Sequence, residues 1–354
     1  MREGNGAFFV RGPLFAAANS GKGFVSFYED VFNRDGIERR YIIKGGPGTG
    51  KSSFMRTVSE YAEKRGMAVE AYRCSSDPDS LDGIVIDGRI AMMDGTPPHS
   101  VEADCPGARD EWINLGAFWN ADRLKERYSD VAFLSGKKGE CYRRAYRALE
   151  AADSVYAMNR ELILPAVQHE KMQKTVERLL EEIPNGDGFS VLPGLVSSLG
   201  MQGRVRFDSY ERSAKRLYVI GDHYGSAGLF LRSVMREAQK KNCSLRVSYD
   251  PIHREVDALF FCQTGDCFVI GDPATTEQAH GTINMKRFVD RNALCDVRGR
   301  FRVYKKLYDE LVATASESLA SAGKYHFELE RIYAVYMDFE AQNRFVRSFC
   351  QKIV

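Results

Sequence analysis

The stretch IIKGGPGTGKSSFM, Ile42 to Met55, decides the fold reading. A short apolar strand ends at Lys44, a glycine-rich loop follows, and a helix begins near Lys51. Gly45-Gly46-Pro47-Gly48-Thr49-Gly50-Lys51-Ser52 meets every defined position of G-x-x-x-x-G-K-[ST]. Glycines let the backbone approach an anion without a Cβ in the way. Successive N–H groups and the positive end of the helix cradle phosphates, and Ser53 extends that row. Lys51 is expected on the β- and γ-phosphates and the Ser52 hydroxyl on Mg²⁺. The expected ligands are therefore ATP, preferred over GTP, and Mg²⁺.

Downstream, Ile90-Ala91-Met92-Met93 ends in Asp94, a carboxylate at a strand end that would share the metal with Ser52. Gly95 follows, so the glutamate that often polarises water beside such an aspartate is missing. Candidates for a base or phosphate sensor lie on loops at the carboxyl ends of strands. These are Asp77, Asp79, Asp82, His99, Asp104 and Glu111, with Asp82 and His99 placed among the catalytic candidates beside Lys51 and Asp94. Arg73 and Arg109 are candidate charge stabilisers.

Outward from this stretch, the chain repeats itself. About 177 positions on, Lys215 to Val234 reads KRLYVIGDHYGSAGLFLRSV, again a basic pair, a strand, a glycine-bearing loop and a helix. Asp77-Pro78 returns as Asp250-Pro251, Asp82 as Asp257, and Ile113-Asn114-Leu115 as Ile283-Asn284-Met285. Each half closes with a long helical stretch, the first over Glu140–Glu182 with a break at Pro165, the second over Arg302–Ile353 with an interruption at Gly323. The expected fold is α/β: two tandem parallel-sheet domains of the P-loop NTPase type, each with a helical arm. The halves are placed at 1–184 and 185–354, joined near Pro184–Gly188. The second loop has no lysine and carries Asp222, so it is expected to be degenerate. Asn114 and Asn284 are expected to make a shared structural hydrogen bond, and His326, Glu330 and Tyr333, spaced along one helix face, a packing stripe.

The 354 residues carry 50 basic and 48 acidic side chains, a balance that gives no support for a nucleic-acid-coating or membrane-attracted surface. Eight cysteines lack disulfide or zinc spacing and read as reduced thiols. The apolar run from Ala7 is broken by Arg11, Gly12 and Pro13 before it resembles a secretory leader, and no stretch reaches membrane-spanning length. A cytoplasmic protein is expected.

KGGPGTGKSSFM, CSSDPDSLDGIVI, MMDGTPPH, INLGAFW and the C-terminal His326–Tyr333 stretch together resemble the bacterial duplicated P-loop ATPases, also described as nucleotide kinases. That resemblance implies two P-loop-type halves and nucleotide binding. Three functions stay open: an ATPase coupled to conformational change, a nucleotide or small-molecule kinase, and a nucleotide-dependent scaffold that engages a protein through its helical arms.

Overall fold

The computed structural model describes residues 10–274, 279–295 and 297–353; most of the apolar run from Ala7 lies outside them. The first half runs β1 (Leu14–Phe15), β2 (Ala17–Ser20), β3 (Gly23–Ser26), α1 (Tyr28–Phe32), β4 (Arg39–Lys44), α2 (Lys51–Glu63), β5 (Val69–Arg73), β6 (Leu81–Ile86), β7 (Ile90–Asp94), β8 (Asp110–Asn114), α3 (Ala121–Lys125), α4 (Tyr128–Ile163) and α5 (His169–Leu180). The second half repeats this order: β9 (Val191–Pro193), β10 (Ser197–Gly200), β11 (Gly203–Arg206), α6 (Ser209–Ser213), β12 (Arg216–Gly221), α7 (Ala227–Lys240), β13 (Leu245–Tyr249), β14 (Val256–Phe261), β15 (Asp266–Ile270), β16 (Gly281–Asn284), α8 (Arg291–Cys295), α9 (Arg298–Val335) and α10 (Phe339–Ile353).

Each half builds a six-stranded sheet of the same topology, β1-β5-β6-β7-β4-β8 and β9-β13-β14-β15-β12-β16. The sheets are mixed, which corrects the expectation of parallel ones. β4 is parallel to β7 and β8, but β6 is antiparallel to both β5 and β7. The cause is connection length. Only Asp87, Gly88 and Arg89 join β6 to β7, with Asp87 and Gly88 at φ 48° and 67°. A turn that short returns the chain beside itself, whereas parallel neighbours need a crossover. Leu81 and Asp82 also belong to β6 rather than to the preceding loop.

Three apolar layers hold the two halves together. Ile42, Tyr72, Val85, Ala91 and Met93 from the first sheet share one core with Leu217, Val219, Ala258, Phe260, Cys267 and Val269 from the second. The opposite face of the first sheet packs on Phe54, Met55 and Val58 of α2 and on Val346 and Phe349 of α10. The outer face of the second packs on α7 and on Met172, Val176 and Leu180 of α5. The last helix of each half therefore lies on the other half's sheet. All strands of the first sheet precede residue 184 and all of the second follow it, but α5 and α10 are exchanged.

Helix length explains the exchange. At 36 residues, α4 extends about 54 Å at 1.5 Å per residue, enough to carry α5 away from its own sheet. α4 and α9 run antiparallel and pack on each other through Ala145, Leu149, Ala152, Ala315 and Leu319. Pro165 ends α4 in a short 3₁₀ turn, as the sequence leads one to expect. Gly323 does not interrupt α9, which continues to Val335. This glycine is buried against Met201, where an added Cβ would stand 3.1 Å from the methionine Cβ. Its smallness is used for close packing rather than for a break. Among the described residues, no helix is long and apolar enough to cross a membrane.

Candidate functional site

The Gly45–Ser52 loop joins strand β4, between β7 and β8, to α2, which begins at Lys51. Gly48 and Gly50 have φ of 67° and 80°, a left-handed backbone that side chains other than glycine rarely adopt. The loop is knitted internally: Thr49 Oγ1 donates to the Gly46 carbonyl at 2.8 Å. Lys51 Nζ donates to the Gly45 and Gly46 carbonyls at 3.0 and 2.9 Å and stands 3.7 Å from Asp94 Oδ2. The strand neighbour predicted from sequence is thus in place, with Ile43 of β4 opposite Asp94 of β7.

Asp94 Oδ1 accepts from the Thr96 N–H and hydroxyl at 2.8 and 2.6 Å. Burial raises its carboxyl above the usual range, and Lys51 only partly offsets that. Ser52 Oγ accepts from the Leu81 N–H at 2.9 Å, which ties α2 to β6. Ser52 and Asp94 present hard oxygen atoms, the donor type Mg²⁺ takes. A divalent cation would also relieve the buried charge on Asp94.

These groups line a cavity of about 620 Å³, together with Pro47, Ser53, Arg56, Asp77, Asp79 and Asp82. Asp82 is the buried member of that acidic set. His99 Nε2 stands 3.1 Å from Asp82 Oδ2, and the Tyr28 ring stacks on His99 at 4.2 Å. Beyond that contact, His99 Nδ1 has no hydrogen-bond partner. Burial, and then the charges of Asp82 and Asp94, push the Tyr28 hydroxyl well above its ordinary value, so it stays protonated. A buried carboxylate, imidazole and phenol adjoin here, and the open Nδ1 marks a polar site beside the cavity.

Other sequence candidates fall away. Asp104 pairs with Arg40 at 2.7 Å and with Arg109 at 3.2 Å. Arg109 also holds Asp110 at 3.0 Å, and Glu111 pairs with Arg39 at 2.8 Å. All sit at the amino ends of β4 and β8, the far end from the loop, because β8 runs parallel to β4 in that register. Arg73 donates to the Asp79 carbonyl at 3.3 Å, beside the cavity and outside its lining.

The far wall comes from the other half. His326, Phe327, Glu330, Arg331 and Ala334 of α9 and Phe339 of α10 line the same cavity. A Cβ on Gly48 would stand 2.5 Å from the Glu330 carbonyl oxygen, and one on Gly46 would stand 2.9 Å from the Tyr333 ring. Gln342 Nε2 donates to the Thr49 carbonyl at 3.0 Å. The stripe His326–Glu330–Tyr333 does pack, but it packs on the loop itself. Glu330 is held below the usual carboxylate range by His326, assisted by the Gly48 N–H and Lys51. Lys138 of α4 is depressed by burial and then by the charge of Lys51. Sequence reasoning missed Arg331 and Phe339, since nothing local in the chain says that α9 and α10 converge here.

The second loop is closed by its own side chain. Asp222 accepts from the Gly225 and Ala227 N–H groups, both at 2.8 Å. Tyr156 of α4 lies over Gly225, as Glu330 lies over Gly48. The amides that would face an anion are used by a carboxylate. Asn114 and Asn284 make the shared structural bond expected of them, accepting from the Gly116 and Lys286 N–H groups to cap equivalent 3₁₀ turns.

No protein-family model, curated protein or solved structure matches the chain.

Proposed function

We propose that this chain is a Mg²⁺-dependent ATP-binding P-loop protein that hydrolyses ATP at the Gly45–Ser52 loop. The observation that carries this reading is the convergence of Lys51, Ser52, Asp94 and the buried Asp82 carboxylate on one cavity at the mouth of that loop. Loop amides and Lys51 supply the positive environment a polyphosphate requires. Ser52 and Asp94 would hold Mg²⁺. Asp82 is the group suited to accept a proton from attacking water, with His99 as its positioning residue.

This assignment gives the missing glutamate a substitute, one strand away from the usual place. Of the two loops one is closed by Asp222 and the other is not, and each is covered by the opposite half. Because the cover over Gly46, Gly48 and Gly50 is built from α9 and α10, ATP entry would be coupled to movement between the halves.

Calorimetric titration with ATP and Mg²⁺, followed by phosphate release, tests the proposal. Lys51→Ala should abolish binding. Asp82→Asn should keep binding and lower turnover by about 100-fold or more, the usual contribution of a general base. Full turnover in Asp82→Asn removes Asp82 from that role. Phosphate appearing on an added acceptor instead of in water would favour the kinase reading.

A further inference from the structure

We propose that the α9–α10 wall of the cavity is a nucleobase subsite, built on Phe327 and Phe339, so that the ligand is a nucleoside polyphosphate rather than an inorganic one. The proposal rests on the phosphate-binding reading of the Gly45–Ser52 loop and specifies what lies beyond the phosphates.

Phe327 and Phe339 are 42% and 41% exposed and line the same cavity as Lys51, Ser52, Arg56 and four aspartates. Covering solvated phenyl rings with a flat apolar face is favourable. Phe327, Glu330, Arg331 and Ala334 share one face of α9 at i, i+3, i+4 and i+7. Ala334 is the small member, leaving room between Phe327 and Phe339 at the start of α10. Arg331 supplies a planar cation, which stacks on a base as readily as a ring does. Two π-faces and a guanidinium suit a flat aromatic heterocycle, and every base offers a π-face to them.

The second half shows the contrast. Its rings around the closed loop are already stacked on protein: Tyr224 on Phe301 at 4.3 Å and Tyr156 on His253 at 3.7 Å. Beside the first loop, among the described residues, Phe327 meets only the ring of His326, edge-on at 5.8 Å. Tyr224 is itself 38% exposed but stacked, whereas among the described residues neither Phe327 nor Phe339 is stacked on a protein ring.

The experiment is calorimetry on the full chain with two probes, Mg²⁺–ATP and Mg²⁺–tripolyphosphate. Phe327→Ala and Phe339→Ala should each weaken ATP by about tenfold, the scale of one base–aromatic stack, and leave tripolyphosphate unchanged. Phe327→Leu and Phe339→Leu keep apolar volume and should weaken ATP in the same direction, which separates stacking from packing. Unchanged ATP affinity in both alanine variants overturns the subsite, and so does a parallel loss of both probes. Tripolyphosphate binding that requires Lys51, with ATP binding no tighter, leaves the loop reading standing and sinks the subsite alone. A chain that binds neither probe overturns both.

Discussion

Glu70 and Arg246 form an ion pair that joins the two halves, and the order in which its variants lose stability follows from its contacts. The two residues occupy equivalent places on β5 and β13 and are only 7% and 5% exposed. Arg246 bonds Glu70 Oε2 through Nη2 and donates to the Tyr72 hydroxyl at 2.9 Å. Tyr72 in turn donates to Glu70 Oε2 at 2.8 Å, and Arg34 Nη1 reaches the same oxygen at 3.2 Å. Glu70→Ala strands the Arg246 guanidinium with only a neutral hydroxyl, so the loss should be about 3–5 kcal/mol, the cost of an uncompensated buried charge. Arg246→Met leaves Glu70 paired with Arg34 and Tyr72, and should cost only about 1.5–3 kcal/mol for a charged hydrogen bond. The double variant Glu70→Leu/Arg246→Met should be more stable than Glu70→Ala alone, because the buried Arg246 charge goes with its partner and only the part-exposed Arg34 loses its ion pair.

Urea denaturation followed by circular dichroism at pH 7 measures all three. An Arg246→Met loss larger than that of Glu70→Ala, or a Glu70→Ala loss under about 1 kcal/mol, would refute the reasoning. The pH dependence has a fixed sign. Burial pushes the Glu70 carboxyl up, but Arg246 and Arg34 outweigh it and hold it well below the usual range. Its contribution is therefore complete above the unfolded carboxylate value of about 4.3 and is lost as pH falls toward the folded one.

Two further outcomes follow from the cavity and its counterpart. Glu330→Gln removes a negative charge facing the Gly48 N–H and Lys51, so titration should show tighter ATP binding; about 1 kcal/mol, or fivefold, is expected for a half-exposed group, and weaker binding would count against a competing carboxylate. Burial raises Asp257, the counterpart of Asp82, to about 6. Because its folded value is the higher one, stability should fall as pH climbs from about 4 to 6 and then level off, by up to about 3 kcal/mol. Asp257→Asn should lack that slope and resist urea better than the parent at pH 7; equal midpoints at both ends of the range would remove Asp257 as its source.

The strand–loop–helix around Lys51, the carboxylate at Asp94, the repeat and the degenerate loop carrying Asp222 were all legible in the sequence. Each depends on residues within a few positions of one another, where dihedral preference and periodicity act directly. Asp82 and His99 were placed ahead of Asp104, Glu111 and Arg109, but which end of the sheet each one reaches is decided by strand register, which the sequence does not show. The antiparallel course of β6 was missed, although Asp87-Gly88 marks the turn that causes it.

What the sequence determined by itself is one intact phosphate-loop motif and one degenerate copy on a duplicated α/β chain. Tertiary structure alone decided that the copies are not neighbours on a string. Two long helices exchange α5 and α10, the sheets share a core sealed by Glu70 and Arg246, and His326, Phe327, Glu330 and Arg331 complete a cavity that starts nearly three hundred residues earlier in the chain. Contacts of that separation are fixed by helix length and burial on both faces of the sheets, and no local pattern encodes them.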